Sequence, residues 1–288
     1  MKLFEKTKIE VVNLERLPFR RQIEEDFIFE GDALQVLRKI PDETYQCCVT
    51  SPPYWGIRDY GVGGQIGAEG DLLNFIENLA NVFDEVKRVL KNDGVLWLNL
   101  GDSYTSGNRR RRAPDKKNPG REMTYRPATP KGLKPKDLIG VPWKIAFALQ
   151  ERGWYLRTDI IWNKPNCQPE SVRDRPTRSH EYIFMLTKSE KYLYNYELLK
   201  EYGKNGKLRN RRTVWDVNTE SFKGAHFAAF PTSLIEPMIE GTSLPESIIL
   251  DPFFGAGTTG LVCRKLDRRF HGIELNPDYI KLAQERLS

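Results

Sequence analysis

Two short runs carry the residue types from which a site for a nucleoside-like ligand and a planar substrate could be built. The first is Asp251-Pro252-Phe253-Phe254-Gly255-Ala256-Gly257-Thr258-Thr259-Gly260, which follows a short apolar run and opens a helical pattern. Its glycines let the backbone approach a ligand closely, and the following helix start offers free N–H groups. No lysine follows the last glycine, so the run is not a nucleotide phosphate loop. Glu274 ends the next apolar run, where it can accept hydrogen bonds from ribose hydroxyls. A glycine-rich loop with an acid on the next strand is shared by binders of dinucleotides and of S-adenosyl-L-methionine (SAM). A plain structural turn reads the same way. The second run is Thr50-Ser51-Pro52-Pro53-Tyr54-Trp55. Two prolines fix φ and remove backbone donors, which leaves the Pro52 carbonyl available to a cleft. With the Ser51 hydroxyl as a second acceptor and Tyr54 as a flat face, the loop suits a planar base bearing an amino group. A rigid surface turn is the bland alternative.

The surrounding pattern supplies elements to hold these loops. Phe27-Ile28-Phe29 and Tyr45–Thr50 read as strands, and Ala33–Ile40 carries helix-spaced apolar residues. Apolar residues from Leu72 to Leu90 fall at three/four spacing, with Asp71 as cap and Gly94 as stop. Val95–Leu100, Trp154–Trp162 and Glu181–Thr187 read as further strands, with Tyr192–Tyr194 as a short partner. Pro142 opens a helix continued by Trp143–Gln150. In the last quarter, Ser247–Leu250 is a strand, Thr258–Leu266 a helix and Phe270–Leu275 a strand. Asn276-Pro277 then caps a final helix to Leu287. Strands alternating with helices predict an α/β fold, a mostly parallel sheet covered on both faces. Ligands then bind beyond the carboxyl ends of the strands, so both loops should open onto one cleft.

Composition narrows the class. The 288 residues are 39% hydrophobic, enough for a substantial core, and no apolar run reaches the ~20 residues a membrane helix needs. No secretory signal is visible at the N-terminus. Cys47, Cys48, Cys167 and Cys263 lack paired spacing and a His partner, which argues against disulfides or a metal and for a cytoplasmic setting. The net charge of +6 is uneven. Tyr104–Lys136 holds eleven Lys or Arg against two acids, a balance of +9 that leaves −3 for the rest. Lys200–Arg212 adds six cations against one Glu. Basic charge confined to two segments is the pattern of phosphate contact, or of a solvated loop.

The ordered set of motifs resembles the permuted class of SAM-dependent DNA amino-methyltransferases, in which the catalytic motif precedes the SAM motif, from Phe27 onward. Phe29-Glu30-Gly31-Asp32 is similar to the family segment whose Asp contacts the SAM adenine. Ser51-Pro52-Pro53-Tyr54 is similar to the catalytic motif in its cytosine-N4 form, where adenine-N6 enzymes usually carry Asp. Ser179-His180-Glu181-Tyr182-Ile183 with Thr187-Lys188-Ser189 resembles a sheet segment of the family. His226 to Pro231, followed by Leu234, resembles the motif lining the methionine end of SAM. Asp251-Pro252-Phe253 with Gly255 and Gly257, then Gly272-Ile273-Glu274, complete the cofactor half.

The resemblance implies a Rossmann-like, seven-stranded methyltransferase sheet. It implies one catalytic domain over residues 26–288 after an N-terminal extension (1–25), with basic DNA-contacting insertions at 104–136 and 196–222. Expected catalytic residues are Ser51, Pro52, Pro53 and Tyr54. Expected SAM contacts are Asp32, Phe230, Pro231, Asp251, Phe253, Gly255, Gly257, Thr258 and Glu274. Expected DNA contacts are Arg109, Arg110, Arg111, Arg112, Lys116, Lys117, Arg121, Arg209, Arg211 and Arg212. The expected partner is double-stranded DNA, with a restriction endonuclease as a functional rather than physical companion, and a monomer or homodimer as the unit. Adenine-N6 transfer, an RNA or protein methyltransferase and an inactive DNA-binding module are the competing readings. The intact Asp251, Gly255, Gly257 and Glu274 argue against the last. Cys167 lacks the preceding proline of a carbon-5 nucleophile, Cys47 and Cys48 read as core, and His180 and His226 as structural. Trp55 and Arg58 could flank an extruded base or pack at the surface.

Overall fold

The computed structural model describes residues 9–13, 25–57, 62–106, 126–220 and 230–288. Strand β1 (Glu10–Asn13) and strand β2 (Phe27–Glu30) pair in parallel. Asp32 caps helix α1 (Ala33–Leu37) by accepting the Gln35 N–H at 3.0 Å. After β3 (Tyr45–Thr50), helix α2 (Leu72–Val89) begins at Asp71, whose carboxylate accepts from the N–H groups of Leu73 and Asn74. Such a cap is worth about 1 kcal/mol. Strand β4 (Leu90–Leu100) follows without a loop, so the helix ends at Val89, five residues before Gly94. Leu90 is already extended and faces Tyr45 of β3, and that pairing ends the helix.

Helix α3 (Val141–Glu151) has no cap from its own preceding residue. Asp102, just past β4, supplies one by accepting the N–H groups of Gly140 and Val141 at 3.0 Å. Then come β5 (Tyr155–Asn163), β6 (His180–Thr187), a small hairpin of β7 (Glu201–Tyr202) and β8 (Leu208–Arg209), and β9 (Val214–Asp216). The chain ends with α4 (Thr232–Thr242), β10 (Ile248–Asp251), α5 (Thr258–Lys265), β11 (Arg269–Glu274) and α6 (Pro277–Leu287).

The main sheet runs β1-β2-β11-β10-β3-β4-β6-β5-β9, and β6 alone among these strands is antiparallel to its neighbours. The seven strands from β2 to β5 are the expected sheet, and β1 and β9 extend its two edges. Part of the presumed N-terminal extension is therefore a sheet strand. Tyr192–Tyr194 forms no strand: its one backbone bond toward the sheet is Leu193 N–H to the Asp93 carbonyl at 3.0 Å, too little for a ladder.

Side chains alternate across the sheet, as strand geometry requires. Leu96, Leu98 and Leu100 of β4 face α1, α2 and α3, packing with Leu37, Phe75, Val82 and Ile145. Val95 and Trp97 face the other helices, packing with Leu234, Met238, Val262 and Ile280. Cys47 and Cys48 are fully buried on opposite faces of β3, as core residues. Among the described residues no helix is long and apolar enough to cross a membrane.

Candidate active site

Strand order reverses between β10 and β3, and a cleft opens beyond the carboxyl ends of β2, β3, β10 and β11. That is where an open α/β sheet binds its ligand. Three carboxylates face it, from Asp32, Asp251 and Glu274, and no Lys, Arg or His is among the described residues lining it. Among those described residues a polyphosphate would find no counter-charge. A ligand with a positive centre, hydroxyls and an apolar ring fits the donor set, which is the chemistry of SAM.

Glu274 shapes the glycine turn from the end of β11. Its Oε2 accepts the Gly255 N–H and its Oε1 the Asn276 N–H, both at 2.8 Å. Burial pushes its carboxyl up, partly offset by those backbone donors. Two bonds leave a carboxylate with spare lone pairs for hydroxyl donors. Gly255 turns with φ +51°, a conformation that needs glycine.

Asp251 ties the two loops together. Its Oδ1 accepts the Thr50 hydroxyl at 2.7 Å, and its Oδ2 accepts the Thr259 hydroxyl at 2.6 Å. The Phe253 N–H adds a third bond at 3.1 Å. One buried side chain thus joins the residue before Ser51 to the first turn of α5. Burial pushes its pKa up to about 6, against the pull of the two threonines and the Phe253 N–H.

Ser51 heads a polar chain that runs into the sheet. Its Oγ lies 3.2 Å from the Tyr54 hydroxyl, which donates to Glu181 Oε2 at 2.9 Å. The Asn99 amide of β4 donates to Glu181 Oε2 at 2.9 Å, and its nitrogen lies 3.1 Å from Tyr54 Oη and 3.3 Å from Ser51 Oγ. Lys164, after β5, forms an ion pair with the other oxygen of Glu181. Burial opposes ionisation of Glu181, but the Lys164 charge and the hydrogen bonds from Lys164, Asn99 and Tyr54 outweigh it and hold the carboxyl below its ordinary range. The Tyr54 ring packs against Gly101, where a Cβ would come within 2.6 Å of the ring.

The predicted site residues divide. Asp32, Ser51, Pro53, Phe230, Asp251, Phe253, Gly255, Thr258 and Glu274 all line the cleft. Pro52 and Tyr54 lie beside it rather than on its wall, as does Pro231, which precedes α4. Gly257 faces away: a Cβ there would meet Ala283 at 3.1 Å and Leu287 at 3.2 Å, so it serves the packing of α5 on α6. Trp55 is buried and donates its indole N–H to the Glu69 carbonyl at 2.9 Å, which anchors the loop from within. The His180 ring packs edge-on against Tyr182, as a structural residue would.

Of the expected DNA contacts, Arg109, Arg110, Arg111, Arg112, Lys116, Lys117 and Arg121 lie outside the described residues, as do Arg58 and His226. Arg209 is paired with Glu201 at 2.8 Å, and Arg211 is half-buried on the Trp215 ring at 4.2 Å. Arg212 is exposed. A broad groove beside Trp55 is lined by Tyr104, Ser106, Arg126, Arg175 and Arg178. Ser106 and Arg126, the described residues on either side of 107–125, both line this groove. Arg175 and Arg178, which sequence reading did not single out, line the groove beside Glu170 and Asp102, at 2.7 and 3.9 Å. Asn99, Lys164 and Glu181 were also missed as site residues. Their signal is a lone Asn in Leu96–Leu100 and a lone acid heading the apolar run of β6, each a polar group in a buried strand.

A carboxylate-rich cleft at the switch point of a mostly parallel sheet, with a polar loop on its rim, defines a nucleoside-binding α/β protein of the methyltransferase type. The solved structures agree in fold. A DNA modification methylase of Thermus thermophilus, complexed with S-adenosyl-L-methionine, superposes with a TM-score of 0.63 at 26% identity, over 90% of this chain and 92% of that one. The PvuII DNA methyltransferase (cytosine-N4-specific) superposes at 0.67 with 18% identity, over 91% and 89%. In sequence, the family model described as DNA methylase, of the N6/N4 type, matches residues 45–285. The chain belongs to this N6/N4 DNA methylase family. It is 63% identical to the Type II methyltransferase M.Cfr9I of Citrobacter freundii, over 90% of this chain and 87% of that protein. It is 60% identical to the Type II methyltransferase M.SmaI of Serratia marcescens, over 90% of each.

Proposed function

We propose that the protein is a SAM-dependent Type II DNA methyltransferase that methylates the exocyclic N4 amino group of cytosine in duplex DNA. It acts in the cytoplasm, as the modification partner of a restriction endonuclease. The observation that carries the reading is Ser51, not Asp, on the wall of the carboxylate-lined cleft, one residue after the threonine bound to Asp251.

The target atom is inaccessible inside a duplex, so the cytosine leaves the stack at a cost of a few kcal/mol. The basic segments and the Arg126–Arg178 groove hold the backbone while it does so. A cytosine amine is a poor nucleophile because its lone pair is delocalised into the ring. Ser51 Oγ and the Pro52 carbonyl accept its N–H groups, drawing the nitrogen toward tetrahedral geometry and turning its lone pair to the cleft. Asp32, Phe230, Phe253, Gly255 and Glu274 hold the cofactor, which supplies an electrophilic methyl group when bound. The protein contributes mainly alignment, for which ~7 to 11 kcal/mol is available. Nucleoside analysis of DNA modified by the expressed protein tests the reading. N4-methylcytosine supports it, N6-methyladenine alone moves the target base, and neither product refutes it.

A further inference from the structure

The chain from Ser51 to Glu181 has a direction, and donor chemistry fixes it. A carboxylate only accepts hydrogen bonds. Glu181 Oε2 therefore takes the Tyr54 hydroxyl proton at 2.9 Å, and Tyr54 Oη is left facing Ser51 as an acceptor. Ser51 in turn donates to Tyr54, and with one of its lone pairs turned to the Asn99 amide at 3.3 Å the other is left for a further donor. The Asn99 amide has the same orientation imposed on it: its NH2 group serves Glu181 at 2.9 Å, while its carbonyl oxygen is buried without a partner among the described residues. A buried unpaired acceptor costs free energy. That the amide nonetheless turns its nitrogen inward follows from the carboxylate. Lys164 on Oε1 keeps the carboxylate charged, and hence acceptor-only, in a largely buried position.

We infer that Glu181, paired with Lys164, is a positioning residue that makes Ser51 a hydrogen-bond acceptor and so selects a base edge bearing an amino group over one bearing a carbonyl. A carbonyl oxygen at the same place would meet the Ser51 lone pairs, acceptor against acceptor. Reversal of the chain would let Ser51 donate to that carbonyl and erase the preference. The inference rests on the amino-methylation reading above.

The test compares binding of two duplexes differing only at the target position, cytosine in one and uracil in the other, each opposite guanine. Easier extrusion of the mismatched uracil is common to all variants and cancels when their cytosine-to-uracil ratios are compared. Glu181→Gln presents an amide that can donate to Tyr54 and reverse the chain, whereas Tyr54→Phe cuts it without touching the ion pair. In each, the ratio should fall about tenfold, the scale of one hydrogen bond. Methyl-transfer rates should fall as well, with the double variant no slower than the slower single one. SAM titration and thermal melting report whether each variant folds, and if Glu181→Gln does not, Tyr54→Phe decides alone. An unchanged ratio in folded Tyr54→Phe, or rate losses that multiply in the double variant, overturns the inference. Nucleoside analysis of the wild-type product comes first and keeps the two readings apart. N6-methyladenine directs the comparison to adenine and hypoxanthine, and no methylated amino group at all overturns both.

Discussion

Asp251 should make the protein less stable as the pH rises from 5 to 7, and Asp251→Asn should remove that slope. The carboxyl has a pKa of about 6 in the folded protein, against an ordinary value of 3.8. The folded state thus holds a proton over a range where the unfolded chain has released it. By linkage, stability falls with rising pH wherever the folded state binds more protons. The loss runs from about pH 4 to just above 6 and totals roughly 2.2 pKa steps of 1.36 kcal/mol, or about 3 kcal/mol. Between pH 5 and 7 the share is about 1 kcal/mol, since the folded carboxyl goes from about nine-tenths protonated to about one-tenth. For a chain of this size that is about 2 °C in Tm. Other groups titrate in this range too, so the informative quantity is the wild-type-minus-variant difference in urea unfolding free energy at the two pH values. Asn keeps one acceptor for Thr50 or Thr259 and adds no titration of its own. Wild type should lose about 1 kcal/mol more than Asp251→Asn between pH 5 and 7. Equal losses in the two proteins would refute the assignment of a raised pKa to this carboxyl. The variant should also transfer methyl groups more slowly at saturating SAM, because the Thr50–Asp251–Thr259 link that sets the Ser51 loop against the glycine turn is weakened.

Ser51→Ala should lower the methyl-transfer rate at saturating SAM while changing SAM affinity, read by calorimetric titration, less than threefold. Glu274→Ala should do the reverse, weakening SAM by about ten- to a hundredfold, the worth of one hydrogen bond to a charged group. Replacing Arg109, Arg110, Arg111 and Arg112 together by Gln should flatten the log–log salt dependence of duplex binding by roughly 3.6 if all four meet phosphates. It should weaken all sequences alike and leave SAM affinity unchanged. A variant that keeps its slope but loses discrimination between sequences would show that the stretch reads bases.

The legible parts of this fold are those where one physical signal runs over enough residues to stand alone. Helix α2 and the last strand–helix units were readable because apolar spacing, a capping Asp71 or Asn276 and an abrupt change of period agree over long windows. Strands β1 and β9 were not, since four and three residues carry too little alternation to be seen. The cleft follows the same logic. Asp251, Gly255, Glu274 and Ser51 announce themselves as contiguous motifs at strand ends. The Asn99–Glu181–Lys164 cluster is assembled from three elements, and the antiparallel insertion of β6 between β4 and β5 brings them together. A sequence shows each as a stray polar residue near an apolar run. Burying such groups is costly unless they pair, so their presence in strands predicts partners without naming them. The topology supplies the names. With β6 in that place, Glu181 of its second position lies level with the carboxyl end of β4, where Asn99 and the Ser51 loop meet. The same acid on either edge strand would face solvent and direct nothing.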